Sequence, residues 1–394
     1  MGYKYAVFGA GRQGLAAVYD LVRNCEADEV LVVEPDSKAM VAANMRLSRL
    51  LGEEYGVVDH TPSANAGRLR EYDVILSCAP YAANPGLTAL ALEAGTALCD
   101  LGGNPETVAE QERLCEGRGD VPVVPDCGVS PGLSNILAAT LAKHGYDRIR
   151  VRCGGLPLDE NQPGGMPDPV WSDSGAFNYK LVFSPMGLLS EYGGWVPIIQ
   201  EGRVLRRLAI STIEPFPWGE CELEASPTSN NSPQAVSRLR DLGVRDYDYM
   251  TLRYPGHWGL VRGWMAAGFL LDGREGDEAL AAQLAGNWRL KYDPEKDRDR
   301  LILSVQGSKG SNGLREHSGF SMEVWSDTET GFAAMELATS WGITIVAHQM
   351  ASGVADVPRG FATPEEFSDG GWIFGQIKNR MAQLEGQPEG GQDG

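Results

Sequence analysis

A glycine-rich hexapeptide constrains the fold of this chain more than any other feature of its sequence. Residues 9–14 read Gly-Ala-Gly-Arg-Gln-Gly, follow the apolar run KYAVF and open a segment with helical periodicity. Twenty residues after the last of these glycines, Glu34 ends a second apolar run, EVLVV. A strand, a glycine turn, a helix and a second strand that ends in an acid form the pattern of a Rossmann βαβ unit. The sequence therefore predicts an N-terminal doubly wound α/β domain.

Each position of this loop has a defined task if it binds a dinucleotide. Gly9 permits the tight turn, Gly11 lets the backbone approach a pyrophosphate, and Gly14 lets the helix pack closely on the strand. The first turn of the helix carries Arg12 and Gln13, and the free amides of a helix N-terminus face the diphosphate. We therefore assign these five residues to cofactor binding.

Further residues are candidates for the ribose and nicotinamide ends of the cofactor. A carboxylate at Glu34 can bond both ribose hydroxyls of NAD, and its charge disfavours the 2′-phosphate of NADP. The segment SCAPY ends another apolar run, so Ala79, Pro80 and Tyr81 lie either beside the nicotinamide ribose or simply in strand packing. Gly102 ends the next run and suits either close cofactor approach or a turn. The predicted cofactor is NAD.

The pattern of predicted strands and helices changes after Pro131. Up to that point apolar runs alternate with helical segments, which is typical of a parallel sheet covered on both faces. Beyond it, strands with alternating polarity and helices follow one another without a strict βαβ rhythm, and this favours an α+β domain. We predict strands at 202–214, 247–254 and 300–306, helices near 232–242, 259–272 and 276–287, and a long apolar helix at 332–351.

These observations define the expected domains. Residues 1–130 form the NAD-binding Rossmann domain, which is completed by about 331–375. Residues 131–330 form a second α+β domain for substrate binding and dimerisation. The Gly- and Gln-rich tail 386–394 is expected to be disordered.

Composition excludes several classes of function. The chain has 53 acidic and 34 basic residues, a net charge of −19, so nucleic acid and anionic membranes are disfavoured partners. No window approaches the roughly 18 apolar residues of a membrane span, and no leader is expected at the N-terminus. The five histidines show no ligand spacing, so no metal site is predicted. Seven scattered cysteines, without a CxxC pair, are typical of a reducing compartment, and we expect a cytoplasmic protein.

Several longer motifs make the chain resemble a known family. The segments PDCGVSPGLSNILA, CGGLP, GLLSEY, TSNNS, TLRYPGH and AMELATSWGITIVA together resemble the saccharopine dehydrogenase-like family, and within it the lysine 6-dehydrogenases. The resemblance runs over nearly the whole chain. It implies a Rossmann domain, an inserted α+β domain that binds substrate and forms a homodimer, and a C-terminal segment that returns to the first domain.

The resemblance also implies a chemistry, which is oxidation of an amine at its C–N bond with hydride transfer to a nicotinamide. The expected reaction is oxidative deamination of the terminal amine of L-lysine or a lysine-like amino acid. The alternative is a saccharopine-type dehydrogenase, which forms or cleaves a secondary amine between an amino acid and an oxo acid. CGGLP and NYKLVFS resemble that second type. Its enzymes have an arginine for a substrate carboxylate six residues after the lysine, where this chain has Met186.

Amine oxidation needs a base near the nicotinamide, and four residues are candidates for the catalytic site. Asp126 directly follows an apolar run, so it belongs either to the active site or to a turn. Cys153 is either a catalytic neighbour or a buried structural thiol. Lys180 and His257 are the candidate proton acceptors, since each can be neutral near pH 7 to 9 after a modest pKa shift. We expect these four side chains to bound a cleft between the domains.

The remaining candidates bind the substrate. Thr228 and Ser229 lie in a polar segment and either hold an α-carboxylate or α-amine or form a plain turn. Arg253 either clamps a carboxylate bidentately or pairs with an acid of the protein, and Tyr254 lies beside it. The expected partner is thus a small amino acid or amine.

Overall fold

The computed structural model describes residues 2–102, 104–168, 177–229, 233–270, 274–310, 315–353, 357–367 and 369–384. The chain forms two compact units. The first comprises residues 1–140 and 336–383, and the second comprises Leu141–Met335. The predicted domain limits at 130 and 331 lie ten and five residues before these divisions. The predicted disordered tail 386–394 lies outside the described residues.

The first unit is built on a six-stranded, all-parallel sheet with the order β3-β2-β1-β4-β5-β6. Its strands are β1 (Tyr3–Phe8), β2 (Ala27–Val33), β3 (Val58–Thr61), β4 (Val74–Ser77), β5 (Ala97–Asp100) and β6 (Val123–Val124). Aliphatic side chains make the central strands fully buried, as a parallel sheet covered on both faces requires. The doubly wound α/β fold predicted from the sequence is confirmed.

Helices connect these strands and return at the end of the chain. They are α1 (Arg12–Asn24), α2 (Ser37–Leu51), α3 (Ala66–Leu69), α4 (Asn84–Ala94), α5 (Pro105–Cys115), α6 (Leu133–Lys143), α11 (Ala334–Ser352) and α12 (Gly370–Met381), with four further helices in the second unit. Asp36 caps α2 through its side chain, and Asn104 caps α5 in the same way. Arg380 of α12 forms a buried ion pair with Asp20 of α1, at 2.8 Å, which ties the C-terminal helix to the first unit.

The second unit contains a mixed eight-stranded sheet. Six strands follow the order β10-β11-β12-β7-β13-β14, and β8 pairs with both β12 and β9. The strands are β7 (Arg148–Leu158), β8 (Trp195–Gln200), β9 (Arg203–Leu208), β10 (Glu214–Trp218), β11 (Cys221–Ser226), β12 (Asp246–Arg253), β13 (Arg298–Lys309) and β14 (Glu316–Trp325). The helices are α7 (Pro185–Tyr192), α8 (Pro233–Asp241), α9 (His257–Ala266) and α10 (Arg274–Gly286).

One strand assignment needs correction. The segment 202–214, predicted as one strand, forms β9, and its last residue begins β10. Ile210 lies between them with a positive φ of 56°. A β-branched residue rarely adopts this conformation, so the alternating polarity of the segment does not signal the turn.

Candidate functional site

The glycine loop has the shape that a dinucleotide site requires. Gly9 has a φ of +101°, a region that favours glycine. A Cβ added at Gly14 would lie 1.9 Å from the Gly9 carbonyl oxygen, so only glycine lets α1 begin so close to the turn. A Cβ added at Gly11 would meet no atom within 4 Å. The loop is therefore closely packed at Gly9 and Gly14 and open at Gly11, where a diphosphate would approach.

Polar groups around this loop also fit a bound nucleotide. Gly11 is the N-cap of α1 and provides no side chain to satisfy the first amides of the helix. The Gln13 side-chain oxygen is buried and has no hydrogen-bond partner among the described residues. The guanidinium of Arg12 forms an ion pair with Glu336, which is buried at the start of α11. Free amides at a helix N-terminus are suited to an anionic ligand, whereas the orphaned oxygen of Gln13 needs a donor such as a hydroxyl group.

Glu34 lies directly beside the loop. Its carboxylate accepts a hydrogen bond from the backbone amide of Ala10 at 3.0 Å and another from Asp36 at 2.9 Å. The side chain is half-buried, so one face stays open to a ligand. The backbone thus fixes a negative charge at the place where a Rossmann domain binds the adenosine ribose.

The SCAPY segment follows β4 at the same carboxyl edge of the sheet. Ala79 is half-buried and Pro80 is exposed, while Tyr81 is 44% exposed. Behind them the Ser77 hydroxyl donates to the Asn84 side-chain oxygen at 2.7 Å, which joins the end of β4 to α4. Ala79, Pro80 and Tyr81 are thus at least partly accessible at this edge, and their contact with the cofactor stays a prediction.

A buried carboxylate that was not among the predicted site residues organises the next loop. Asp100, at the end of β5, accepts hydrogen bonds from the Gly102 amide at 2.7 Å, the Asp126 amide at 3.3 Å and the Gln111 side chain at 2.7 Å. Burial raises the pKa of Asp100 to about 6. Asp126 has a positive φ of 60°, and a Cβ at Gly102 would lie 1.9 Å from its Oδ1. Asp100 therefore positions both predicted residues.

In the second unit, His257 lies at the end of a buried hydrogen-bonded chain. Its Nδ1 is 2.8 Å from the Phe177 carbonyl oxygen, and its Nε2 is 3.0 Å from the Tyr192 hydroxyl. Burial lowers the pKa of His257 well below its ordinary value, and the nearby charge of Arg253 lowers it further. Both ring nitrogens are engaged and the ring is weakly basic, so this geometry does not favour the predicted role of proton acceptor.

Arg253 lies at the other end of this chain. Its Nε donates to the Tyr192 hydroxyl at 3.0 Å, and Nη1 donates to the Leu252 carbonyl at 2.9 Å. The residue is 3% exposed, and among the described residues no carboxylate lies within ion-pair distance. The Tyr179 ring covers the guanidinium, with 4.7 Å between its centroid and the central carbon. A buried guanidinium without an ion pair is costly, and an anionic ligand would compensate its charge.

A second buried set of polar side chains surrounds Cys153. Thr228 and Thr251 share a hydrogen bond of 2.6 Å between their hydroxyls, and Thr251 is 3.4 Å from the Tyr249 hydroxyl. Burial raises the pKa of the Cys153 thiol to about 12, partly opposed by Arg253. A thiol that keeps its proton is a poor nucleophile, so this environment does not favour a nucleophilic role for Cys153. Ser229 is half-buried, and its amide donates to the Glu191 carbonyl at 2.8 Å.

Lys180 and Tyr254 have partners outside the Arg253 chain. The Lys180 ammonium forms an ion pair of 3.0 Å with Asp297, and its side chain is 12% exposed. The Tyr254 hydroxyl donates to the Pro157 carbonyl at 2.7 Å and accepts from Arg300 at 3.2 Å. Tyr254 is fully buried and bonded within the second unit, and its role in substrate binding stays a prediction.

The structure thus brings together some of the predicted residues. Arg253 and His257 are joined through Tyr192, and Arg253 acts electrostatically on Cys153. Asp126 belongs to the first unit, whereas Cys153, Lys180 and His257 belong to the second. The meeting of all four around one substrate stays a prediction. Sequence reasoning missed Tyr179 and Tyr192 because the motifs NYKLVFS and GLLSEY, which contain them, do not show which of their residues face a ligand.

The parallel sheet, its glycine loop and the carboxylate beside it define a pyridine-nucleotide-dependent oxidoreductase. Residues 5–118 match the saccharopine dehydrogenase NADP binding domain, and residues 128–384 match the saccharopine dehydrogenase C-terminal domain. The chain belongs to the saccharopine dehydrogenase family.

A solved structure shows the same fold. The apo histidine-tagged saccharopine dehydrogenase (L-Glu forming) of Saccharomyces cerevisiae superimposes with a TM-score of 0.70 at 16% identity, covering 98% of each chain. An engineered D-amino acid dehydrogenase bound to NADP+ matches with a TM-score of 0.43 at 10% identity, covering 95% of this chain and 96% of that one. The second likeness is too distant to support an argument.

Two further kinds of site are absent from the described residues. None of their helices is long and apolar enough to cross a membrane. No group of three or more His, Cys, Asp or Glu side chains is arranged to hold a metal ion in this part of the chain.

Proposed function

We propose that this chain is an NAD-dependent dehydrogenase that oxidises the C–N bond of an amino acid, removing the terminal amine of L-lysine or a lysine-like substrate. The observation that carries the proposal is the buried Arg253, which has no carboxylate partner among the described residues. An amino-acid substrate supplies that carboxylate. Arginine suits the task because its planar donors match the geometry of a carboxylate.

The preference for NAD rests on Glu34. The matching family domain is described as NADP binding, but in this chain backbone amides hold a carboxylate where a 2′-phosphate would lie. Two like charges at this short distance repel each other, whereas ribose hydroxyls donate to a carboxylate. The charge of Arg12, which could otherwise attract a 2′-phosphate, is neutralised by its ion pair with Glu336.

A bound nicotinamide would supply the hydride acceptor for the carbon that carries the amine. The protein has to hold the amine neutral, bind the charged end of the substrate and activate water for hydrolysis of the imine. We assign proton acceptance to Lys180, which must first lose the proton that its ion pair with Asp297 stabilises, and we assign orientation of the amine to Asp126. Cys153 forms an uncharged wall, since a thiol with a pKa of about 12 keeps its proton at neutral pH.

A saccharopine-type reaction is the alternative. Its second substrate adds carboxylates, each of which needs a cation in the site. At position 186, where those enzymes have an arginine, this chain has a methionine that packs against a hydrophobic cluster with Phe177 and Leu188. This contact favours the smaller amino-acid substrate.

A steady-state screen at 340 nm tests the proposal. Purified protein is assayed with NAD or NADP against L-lysine, L-ornithine, saccharopine and polyamines. We expect NAD reduction with L-lysine or a close homologue and weak activity with saccharopine. Turnover of saccharopine alone would establish the alternative, and turnover with none of the amines would reject both.

We also propose that the sheet of the second unit mediates a homodimer. One face carries a groove of about 680 Å³ lined by arginines of β7 and acids of β12. Arg148 and Asp246 are paired in the parallel register, as are Arg150 and Asp248. Neighbouring rows of opposite charge are self-complementary, because a second copy turned by a two-fold axis places each row against its opposite.

A further inference from the structure

The hydrogen bonds around Tyr192 allow every proton in the buried chain to be assigned. The Phe177 carbonyl can only accept, so His257 Nδ1 carries the ring proton and donates it. Nε2 of the neutral ring is then an acceptor, and it takes its hydrogen bond from the Tyr192 hydroxyl. The same hydroxyl oxygen accepts from Arg253 Nε. The direction of donation therefore runs from Arg253 through Tyr192 and His257 to a backbone carbonyl.

Burial and ring packing also constrain the side chains of this hydrogen-bonded chain. Tyr192 and His257 are fully buried, and burial raises the pKa of Tyr192 to about 12, so its hydroxyl keeps the proton that it donates. The His257 ring stacks on Phe177 with 4.4 Å between centroids and meets Trp258 edge to face. A side chain held by both hydrogen bonds and ring packing is suited to fixing a neighbour rather than exchanging protons.

Arg253 is left with unused donors. Nε and Nη1 are bonded within the protein, and Nη2 has no hydrogen-bond acceptor among the described residues. The Tyr179 hydroxyl is also buried without a partner among these residues, while its ring stacks on the guanidinium. Two unsatisfied donors of adjacent side chains need an acceptor, and an anion with two oxygens satisfies both.

We propose that Arg253 and Tyr179 bind the carboxylate of the substrate, and that Tyr192 and His257 are positioning residues that fix the guanidinium for it. The inference rests on the proposed function in taking the ligand to be an amino acid. It adds the substrate-contacting hydroxyl of Tyr179, and it replaces the role of His257 as a proton acceptor.

Two substitutions of His257 separate positioning from base catalysis. The side-chain oxygen in His257→Gln can accept from Tyr192 in place of Nε2, whereas the amide in His257→Asn can replace only Nδ1 toward Phe177. We expect His257→Asn to raise KM for L-lysine about tenfold with kcat within about threefold, and His257→Gln to restore KM. A general base at this position would instead lower kcat on the order of 10²–10⁴-fold in both variants and change the pH profile. That result would overturn the proposal.

Calorimetry on the full chain with NAD separates this inference from the proposed function. The probes are 6-aminohexanoate, which keeps the carboxylate, and cadaverine, which lacks it. We expect Arg253→Met and Tyr179→Phe to weaken binding of 6-aminohexanoate about tenfold or more and to leave cadaverine unchanged. Unchanged binding of 6-aminohexanoate in both variants would overturn the carboxylate site, even if lysine is turned over.

The same measurement remains decisive if no amine is oxidised. A Tyr179-dependent binding of 6-aminohexanoate would then support the carboxylate site while the proposed reaction fails. If Arg253→Met does not fold, Tyr192→Phe provides the test, because it removes one hydroxyl and keeps the packing of the ring. Its KM for L-lysine should rise as in His257→Asn. An unchanged KM would show that the hydrogen bonds of Tyr192 and His257 do not position Arg253.

Discussion

The two units of this protein form their candidate sites from different materials. In the first unit, backbone groups form the site, with glycines that shape a loop, amides at the start of α1 and a carboxylate held by two amides. In the second unit, side chains form it, and Tyr179, Tyr192 and Arg253 come from segments up to 74 positions apart. A backbone site depends on local conformation, whereas a side-chain site depends on the packing of the whole unit.

This difference determines how each site tolerates substitution. A site formed by backbone groups loses its ligand affinity when a substitution adds a side chain where none fits. Most other substitutions around it should have small effects on binding. A buried side-chain site fails when one member of a hydrogen-bonded chain is removed, because its neighbour is left buried without a partner. Substitutions in both units can test this contrast, and the largest effect is expected in the glycine loop.

Two glycines of one loop should respond differently to the same substitution. Gly14→Ala places a Cβ 1.9 Å from the Gly9 carbonyl oxygen, so the loop must shift. We expect NAD binding to weaken on the order of 100-fold and Tm to fall by several degrees, as overpacking does in cores. The Cβ of Gly11→Ala would have no atom of the protein within 4 Å, so the Tm of the free protein should not change. The added methyl group would lie where the diphosphate approaches, so NAD binding should weaken. Equal Tm values for both variants would contradict the contrast.

The charge of Glu34 should determine the choice of cofactor. Glu34→Gln keeps an oxygen for the Ala10 amide and removes the negative charge. We expect the ratio of the dissociation constants for NADP and NAD to fall about tenfold, mainly through tighter binding of NADP. Glu34→Ala also leaves two backbone amides without an acceptor. It should lower this ratio and weaken the binding of NAD as well. Preferential binding of NADP by the unmodified protein would show that the assignment of NAD is wrong.

The same contrast explains how much could be predicted from sequence. Gly9, Gly14 and Glu34 lie in one stretch with fixed spacing, so the α/β fold could be predicted from the sequence and the structure confirms it. Tyr179 and Tyr192 could not be predicted, because an aromatic residue in a core and one beside a substrate look alike in sequence. For the same reason His257 resembled a proton acceptor, since only the fold shows that Phe177 and Tyr192 occupy both ring nitrogens.

Asp100 links folding of the first unit to pH. Burial raises its pKa to about 6, above the roughly 3.9 of an unfolded aspartate, so the folded state binds the proton more tightly. The resulting stabilisation is complete below about pH 4 and is lost as pH rises through 6, with an amplitude of about 2–3 kcal/mol.

Asp100→Asn should remove this pH dependence without breaking the loop. The asparagine oxygen can still accept from the Gly102 and Asp126 amides. Gln111 can turn its side chain so that its unpaired oxygen faces the new amide. We expect the difference in Tm between the variant and the unmodified protein to grow from pH 4 to pH 7 in favour of the variant. A difference that does not change with pH would contradict the buried-carboxylate interpretation.

The smallest expected effect concerns the outer face of the second unit, where exposed charges replace the buried chain. Arg150 is exposed in the groove on this face of the sheet and forms no ion pair with the described residues. If a second copy covers this face, Arg150→Glu places like charges against each other and should weaken the dimer about tenfold, as charge reversal does at interfaces.

Arg289→Glu makes the same change of charge on an exposed residue outside the groove and should leave the dimer intact. Light scattering after size exclusion, at several protein concentrations, measures both. Because exposed charges are screened, the difference should shrink as salt is raised, whereas the effects at Arg253 should persist since burial shields that side chain from ions. A monomeric unmodified protein, or equal effects of the two reversals, would exclude this face as the dimer interface.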